Sequence, residues 1–124
     1  MKHILFIALG GAGGAVGRYL VTNAIHTLAP GKFPWATLSV NFAGSFCIGI
    51  MYVLIAERAA IHSDWRNIVI VGFLGAFTTF STFSLETFNL IEDGQMVMAV
   101  FYTLGSVIIC VLAAGLGVGL TRLA

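Results

Sequence analysis

Charge is scarce in this sequence. Its 124 residues include six Lys and Arg and five Asp and Glu, 9% in all, against about 25% in soluble domains. An ordinary soluble domain is therefore excluded. The net charge of +1 leaves no basic patch of the kind nucleic acid needs, so nucleic acid is not a partner. Cysteine is nearly absent: Cys47 and Cys110 each lie inside an apolar run, with no CxxC or His-x-x-x-His spacing elsewhere. Neither a disulfide framework nor a metal site built from Cys and His side chains is supported. No nucleophile stands beside a base, and no length is left for a soluble catalytic domain, so the chain is read as something other than an enzyme.

What fills the sequence is apolar. Hydrophobic residues make up 59% of it, and mean hydropathy is +1.00. A membrane-crossing helix needs about 20 such residues, and four stretches qualify, at about 4–25, 36–55, 67–90 and 96–120. The links between them are short. This predicts an all-α membrane protein, with residues 1–124 forming a single domain of four transmembrane helices and both termini on one side. The opening MKHILFIALGGAGGA imitates a secretion signal, but the apolar pattern continues past it and its removal would leave an odd number of spans. Lys2, Arg58, Arg66 and Arg122 stand on one side of this arrangement, against Lys32 and Arg18 on the other. That excess mildly favours cytoplasmic termini, and it is small enough to allow insertion in both orientations. His3, His26 and His62 fall near span ends, where interfacial anchoring is the ordinary role.

Glycine is abundant, at 15 residues, and patterned. Gly10 with Gly14, Gly13 with Gly17, and Gly115 with Gly119 form GxxxG pairs that let helix backbones approach closely in lipid. The stretch GGAGGAVG does not satisfy G-x-G-x-x-G and follows no strand, so a dinucleotide site is not supported.

Polar residues inside such spans are costly unless paired or wet, which makes the few present informative. Arg18 lies in the first span, where it either snorkels toward the first link or shapes a vestibule. Asn41 in the second span, near Thr37, Ser39 and Ser45, suits an interhelical hydrogen bond or a pore. The third span holds TTFSTFS (78–84), preceded by Gly72 and Gly75 and followed by Glu86, the one acid within a predicted span. Two glycines and then hydroxyls predict a helix broken at mid-membrane, whose freed carbonyls need protein, water or an ion. Tyr102, Ser106 and Cys110, at i, i+4 and i+8, form a sparse polar stripe on the fourth span.

Hydroxyls and an amide donate hydrogen bonds, and phenyl rings carry positive edges. Ring edges converging with such donors favour an anion, whereas ring faces favour a cation. No row of lysines or arginines could hold a large anion, so a small, strongly hydrated one is the natural guest. Aromatic packing with Ser and Thr back-bonding to the helix is the structural alternative.

GFLGAFTTFSTFSLE (72–86) is similar to the signature of the Fluc, or CrcB-type, fluoride channel family. GGAGGAVGRY in the first span, PWATLSVNFAGSF at the start of the second, and the Tyr102/Ser106 stripe match in order, so the resemblance covers essentially the whole chain. Ala36 stands where the family pattern has glycine, and Cys47 and Cys110 are replacements on packing faces. The resemblance implies an antiparallel, dual-topology homodimer in the inner (plasma) membrane, with two pores each built from both subunits. It implies passive export of cytoplasmic fluoride, which enters as neutral HF and is trapped as the anion. Phe80 and Phe83 would supply ring edges, Asn41 a vestibule hydrogen bond, and Ser81, Thr82, Tyr102 and Ser106 a polar track. Arg18 and Glu86 would shape the vestibules. Carbonyls of Gly75 and Thr78 would surround one structural sodium ion at the dimer axis.

Two rival readings stand beside this one. A small four-span proton-coupled multidrug exporter needs a membrane-embedded carboxylate in its first span, where this sequence has Arg18 and no acid. A non-transporting assembly subunit would use TTFSTFS only to pack helices.

Overall fold

The computed structural model spans residues 1–124 and is all-helical. Helix α1 covers Lys2–Leu28, and α2 covers Trp35–Tyr52 before running into a π-helical turn, Val53–Glu57. A second π-helical segment, Arg66–Leu74, leads into the short α3 (Gly75–Phe77), followed by α4 (Phe80–Glu92) and α5 (Met96–Leu123). Four helical stretches, Lys2–Leu28, Trp35–Glu57, Arg66–Glu92 and Met96–Leu123, are long and apolar enough to cross a membrane. They run past the apolar limits of the sequence because hydrogen bonding continues through polar ends such as Lys2, Glu92 and Arg122.

Only 20 of the 124 residues are buried within the protomer, while Leu, Ile, Val and Phe side chains lie exposed along α1 and α5. In water that surface would drive aggregation. Against lipid tails it is matched, and the fold is that of a multi-pass membrane protein.

Charged groups mark the ends of the bundle. Lys2 reaches Asp64 at 3.5 Å, and His3 meets Asn67 at 2.9 Å. Arg122 pairs with Glu57, its Nε donating at 3.0 Å, and Arg58 donates to the Arg122 carbonyl at 3.0 Å. Both termini and the second link therefore gather at one end. His26, Lys32 and Asp93 meet around a cavity at the other.

Without a hydrophobic drive between helices in lipid, close packing depends on small residues. Gly10 and Gly14 are buried, and a Cβ on either would overlap backbone of the third span, at Ile68 and Phe73 respectively. The two backbones are thus in direct contact, and α1 packs mainly on Arg66–Leu74. The expected pair Gly115 and Gly119 faces open space instead. The close approach of α2 to α5 is made by Gly49 and Gly117, each against the other helix's backbone.

Gly10→Ala or Gly14→Ala should therefore destabilise the protomer by about 1–3 kcal/mol, as overpacking does. Gly115→Ala should change stability by less than about 0.5 kcal/mol. The monodisperse fraction surviving a heat ramp in detergent, read by size exclusion, distinguishes the two classes.

Candidate functional site

The heptapeptide TTFSTFS divides its hydroxyls between two jobs. Thr78 (φ −81°, ψ 160°) and Thr79 (φ −152°, ψ 123°) are extended, so α3 stops at Phe77 and α4 starts at Phe80. Thr78 closes the preceding turn: its N–H and its hydroxyl both donate to the Leu74 carbonyl, at 3.0 and 2.9 Å. Thr79 opens the next helix as its N-cap, accepting from the Thr82 N–H at 3.2 Å. Ser84 bonds back to the Phe80 carbonyl at 2.9 Å, as mid-helix hydroxyls do. Ser81 and Thr82 remain exposed on α4.

An extended pair inside a span leaves backbone groups without helical partners, and Asn41 on α2 supplies them. Its Oδ1 accepts from the Thr79 N–H at 2.7 Å, and its Nδ2 donates to the Thr79 carbonyl at 2.9 Å. One side-chain amide thus pairs both main-chain groups of one residue, as a neighbouring strand would. One N–H of the Asn41 amide remains for another acceptor. One turn along α2, Gly44 gives Thr78 room, because a Cβ there would overlap the Thr78 methyl.

Asn41 also lines a groove of about 310 Å³, together with Ser45, Phe80, Phe83, Ser106 and Cys110. Phe80 and Phe83 sit 5.5 Å apart at 48°, with Phe83 buried and Phe80 77% exposed. Phe83 continues to Tyr102 at 5.1 Å. The Tyr102 hydroxyl and the Ser106 Oγ, both on α5, are buried and have no hydrogen-bond partner in the protein. A buried hydroxyl without a partner costs about 1–3 kcal/mol. The two lie one helical turn apart: Ser106 borders the groove and Tyr102 lies behind Phe83, and an acceptor brought to either would satisfy it.

Glu86 is half-buried and accepts a hydrogen bond from Thr37 Oγ1. Arg18 does not extend to the first link; its guanidinium reaches the Thr78 carbonyl at 3.5 Å. Asn41, Phe80, Phe83 and Ser106 therefore come together at the groove, with Tyr102 packed on Phe83. Gly75 and Thr78 line the same groove, whereas Ser81 and Thr82 lie outside it. Thr37, Ser45 and Phe33 were not singled out as site residues by sequence reasoning. The spacing Thr37, Asn41, Ser45 (i, i+4, i+8) is the signal, a second polar stripe matching Tyr102, Ser106 and Cys110.

No three His, Cys, Asp or Glu side chains gather into a metal-binding group. A metal here would be a hard cation on main-chain oxygens. The Thr79 N–H, which in a continuous helix would bond the Gly75 carbonyl, goes to Asn41 instead, so the Gly75 oxygen is freed at a negative helix end. The Thr78 carbonyl has only the long contact from Arg18. These two oxygens fit a sodium ion in chemistry.

Four membrane-length helices around a largely apolar groove that carries Asn41, Ser45 and the unpartnered Ser106 hydroxyl define a multi-pass membrane protein. The family model described as "CrcB-like protein, Camphor Resistance (CrcB)" matches residues 5–118, and the chain belongs to that family. It is 47% identical over 123 residues to a "Fluoride-specific ion channel FluC" of Hahella chejuensis, covering 99% of this chain and 97% of the relative. It is 50% identical over 121 residues to the protein of that name in Magnetococcus marinus, covering 98% of each. A Coxiella burnetii protein of the same name is 45% identical over 97% of this chain and 98% of its own. These likenesses set the multidrug-exporter reading aside.

Asn41→Ala strands the N–H of the buried Thr79, whose carbonyl still accepts the first bond of α4, and should cost about 1–3 kcal/mol. Asn41→Asp keeps the acceptor but sets a buried acid against the Thr79 carbonyl, and should cost at least as much. Thermal unfolding of the two variants in detergent gives the ranking.

Proposed function

We propose that this protein is a fluoride-selective channel that lets cytoplasmic fluoride leave the cell passively. The two buried, unpartnered hydroxyls of Tyr102 and Ser106 beside the Phe80–Phe83 pair carry the reading. Fluoride is a strong acceptor and gives up a tightly held water shell, so a path must offer a donor for each water lost. Tyr102, Ser106 and the spare N–H of Asn41 are such donors, and the positive edges of Phe80 and Phe83 add to them. Ser81 and Thr82 continue the track on the exposed side of α4, and Glu86 shapes one end of it, whereas Arg18 sits by the Thr78 carbonyl instead of at a vestibule. A chloride ion, larger and more weakly hydrated, gains less from the same donors.

One protomer leaves the Phe80 ring and the Ser81 and Thr82 hydroxyls uncovered, a poor surface to show to lipid. In this reading a second, antiparallel copy covers that face, and each of two pores is lined by both subunits. The interruption at Thr78–Thr79 lies at mid-membrane. Gly75 and Thr78 carbonyls from the two copies hold a structural sodium ion, which supplies fixed positive charge beside the path. The dimer sits in the inner membrane in dual topology.

Fluoride efflux from liposomes, started with a potassium ionophore and followed with a fluoride electrode, tests the reading. Native protein should release fluoride fast and leave chloride-loaded liposomes full. Tyr102→Phe removes a hydroxyl that has Thr37 near it but forms no well-aligned hydrogen bond in the protein, so thermal stability should change little. Its fluoride rate should fall roughly tenfold, the worth of one hydrogen bond of about 1.4 kcal/mol. Intact native protein that passes no fluoride would contradict the proposal.

A further inference from the structure

Tyr102 meets a second ring besides Phe83: Phe33, from the link between α1 and α2, stands edge-to-face with it at 5.5 Å and 76°. Phe33 also walls a separate cavity of about 210 Å³, shared with His26, Lys32, Glu86, Asn89 and Asp93. This cavity therefore abuts the ring track at Phe33 and Tyr102, and it contains Glu86, whose carboxylate holds Thr37 at the head of the α2 stripe. Two of its lining residues are acidic, one is a lysine and one a histidine.

We propose that this cavity is a fluoride access chamber whose charge, and so its fluoride occupancy, is set by His26. The inference rests on the channel reading above and assigns it a regulation. Four titratable groups face one another here: His26 from α1, Lys32 from the link, Glu86 from α4 and Asp93 from its C-terminal cap. With both carboxylates ionised, one lysine faces two negative charges, and the chamber repels anions weakly while His26 is neutral. Protonating the imidazole cancels the excess. Histidine is the side chain type that changes charge between about pH 5 and 8. A unit charge about 7 Å from an ion alters its local concentration roughly threefold in water. The direction suits the load, since fluoride crosses membranes as HF and enters faster as the medium acidifies. Phe33 forms the inner wall, and its contact with Tyr102 links chamber to track.

His26 and Lys32 are exposed, so substitutions there leave the packed helices intact. Efflux from liposomes in low salt would be measured at pH 5.5 and pH 7.5, with protein-free liposomes subtracted for HF leak. Native protein should run about threefold faster at the lower pH, and the ratio should collapse near 1 M inert salt, where the screening length is about 3 Å. His26→Gln should lose that rise. His26→Lys should be as fast at pH 7.5 as native protein is at pH 5.5. A His26→Gln variant that keeps the native ratio, or a His26→Lys variant with the native rate at pH 7.5, overturns the chamber while conduction stands. Native protein silent at both pH values overturns the chamber and the channel together.

Discussion

The arrangement depends on one amide. Asn41 pairs both the N–H and the carbonyl of Thr79, at 2.7 and 2.9 Å, and so replaces the helical bond that the Thr79 N–H gives up. Within lipid such an opening is tolerated only where protein, water or an ion completes it. Because Asn41 completes it from α2, α3 can stop at Phe77 and α4 start afresh at Phe80 instead of running on as one helix. Beyond the break Phe83 is buried against Tyr102 and Phe80 stays at the surface. Gly44 and the Gly10–Gly14 face serve the same end, since they let α1 and α2 approach the third span closely enough for the amide to reach.

In the proposed channel the path itself offers neutral donors, and fixed charge stays beside it. Charged residues are kept to the ends of the bundle, apart from Arg18 at the Thr78 carbonyl and the half-buried Glu86. On the proposed reading, hydroxyls, an amide and ring edges exchange one water at a time with a small anion and bind it only loosely. Conduction needs binding strong enough to admit the ion and weak enough to release it.

The membrane class and the four helices were legible in the sequence because hydropathy alone decides them. That Asn41, Phe80, Phe83 and Ser106 share one groove was legible in part, since polar residues recur one turn apart on two spans and TTFSTFS interrupts an apolar run. What pairwise geometry decides was not legible. Nothing in the local sequence says that Asn41 reaches a residue 38 positions away, or that Arg18 reaches the Thr78 carbonyl across 60. The glycine pattern misled at Gly115 and Gly119, because spacing shows which glycines share a face but not whether a helix lies against it. Gly49 and Gly117 belong to different helices, so no local motif joins them. The π-helical segments Val53–Glu57 and Arg66–Leu74 were invisible too, since their composition is that of any apolar helix.

The most direct test of the central claim, that these donors and ring edges select fluoride, is the reversal potential of single-protein currents. Purified protein in a planar bilayer would be placed between fluoride on one side and chloride on the other. The account predicts a current carried by fluoride alone, with no reversal toward chloride within the accessible voltage range. A reversal near zero, showing chloride passing as readily as fluoride, would contradict it.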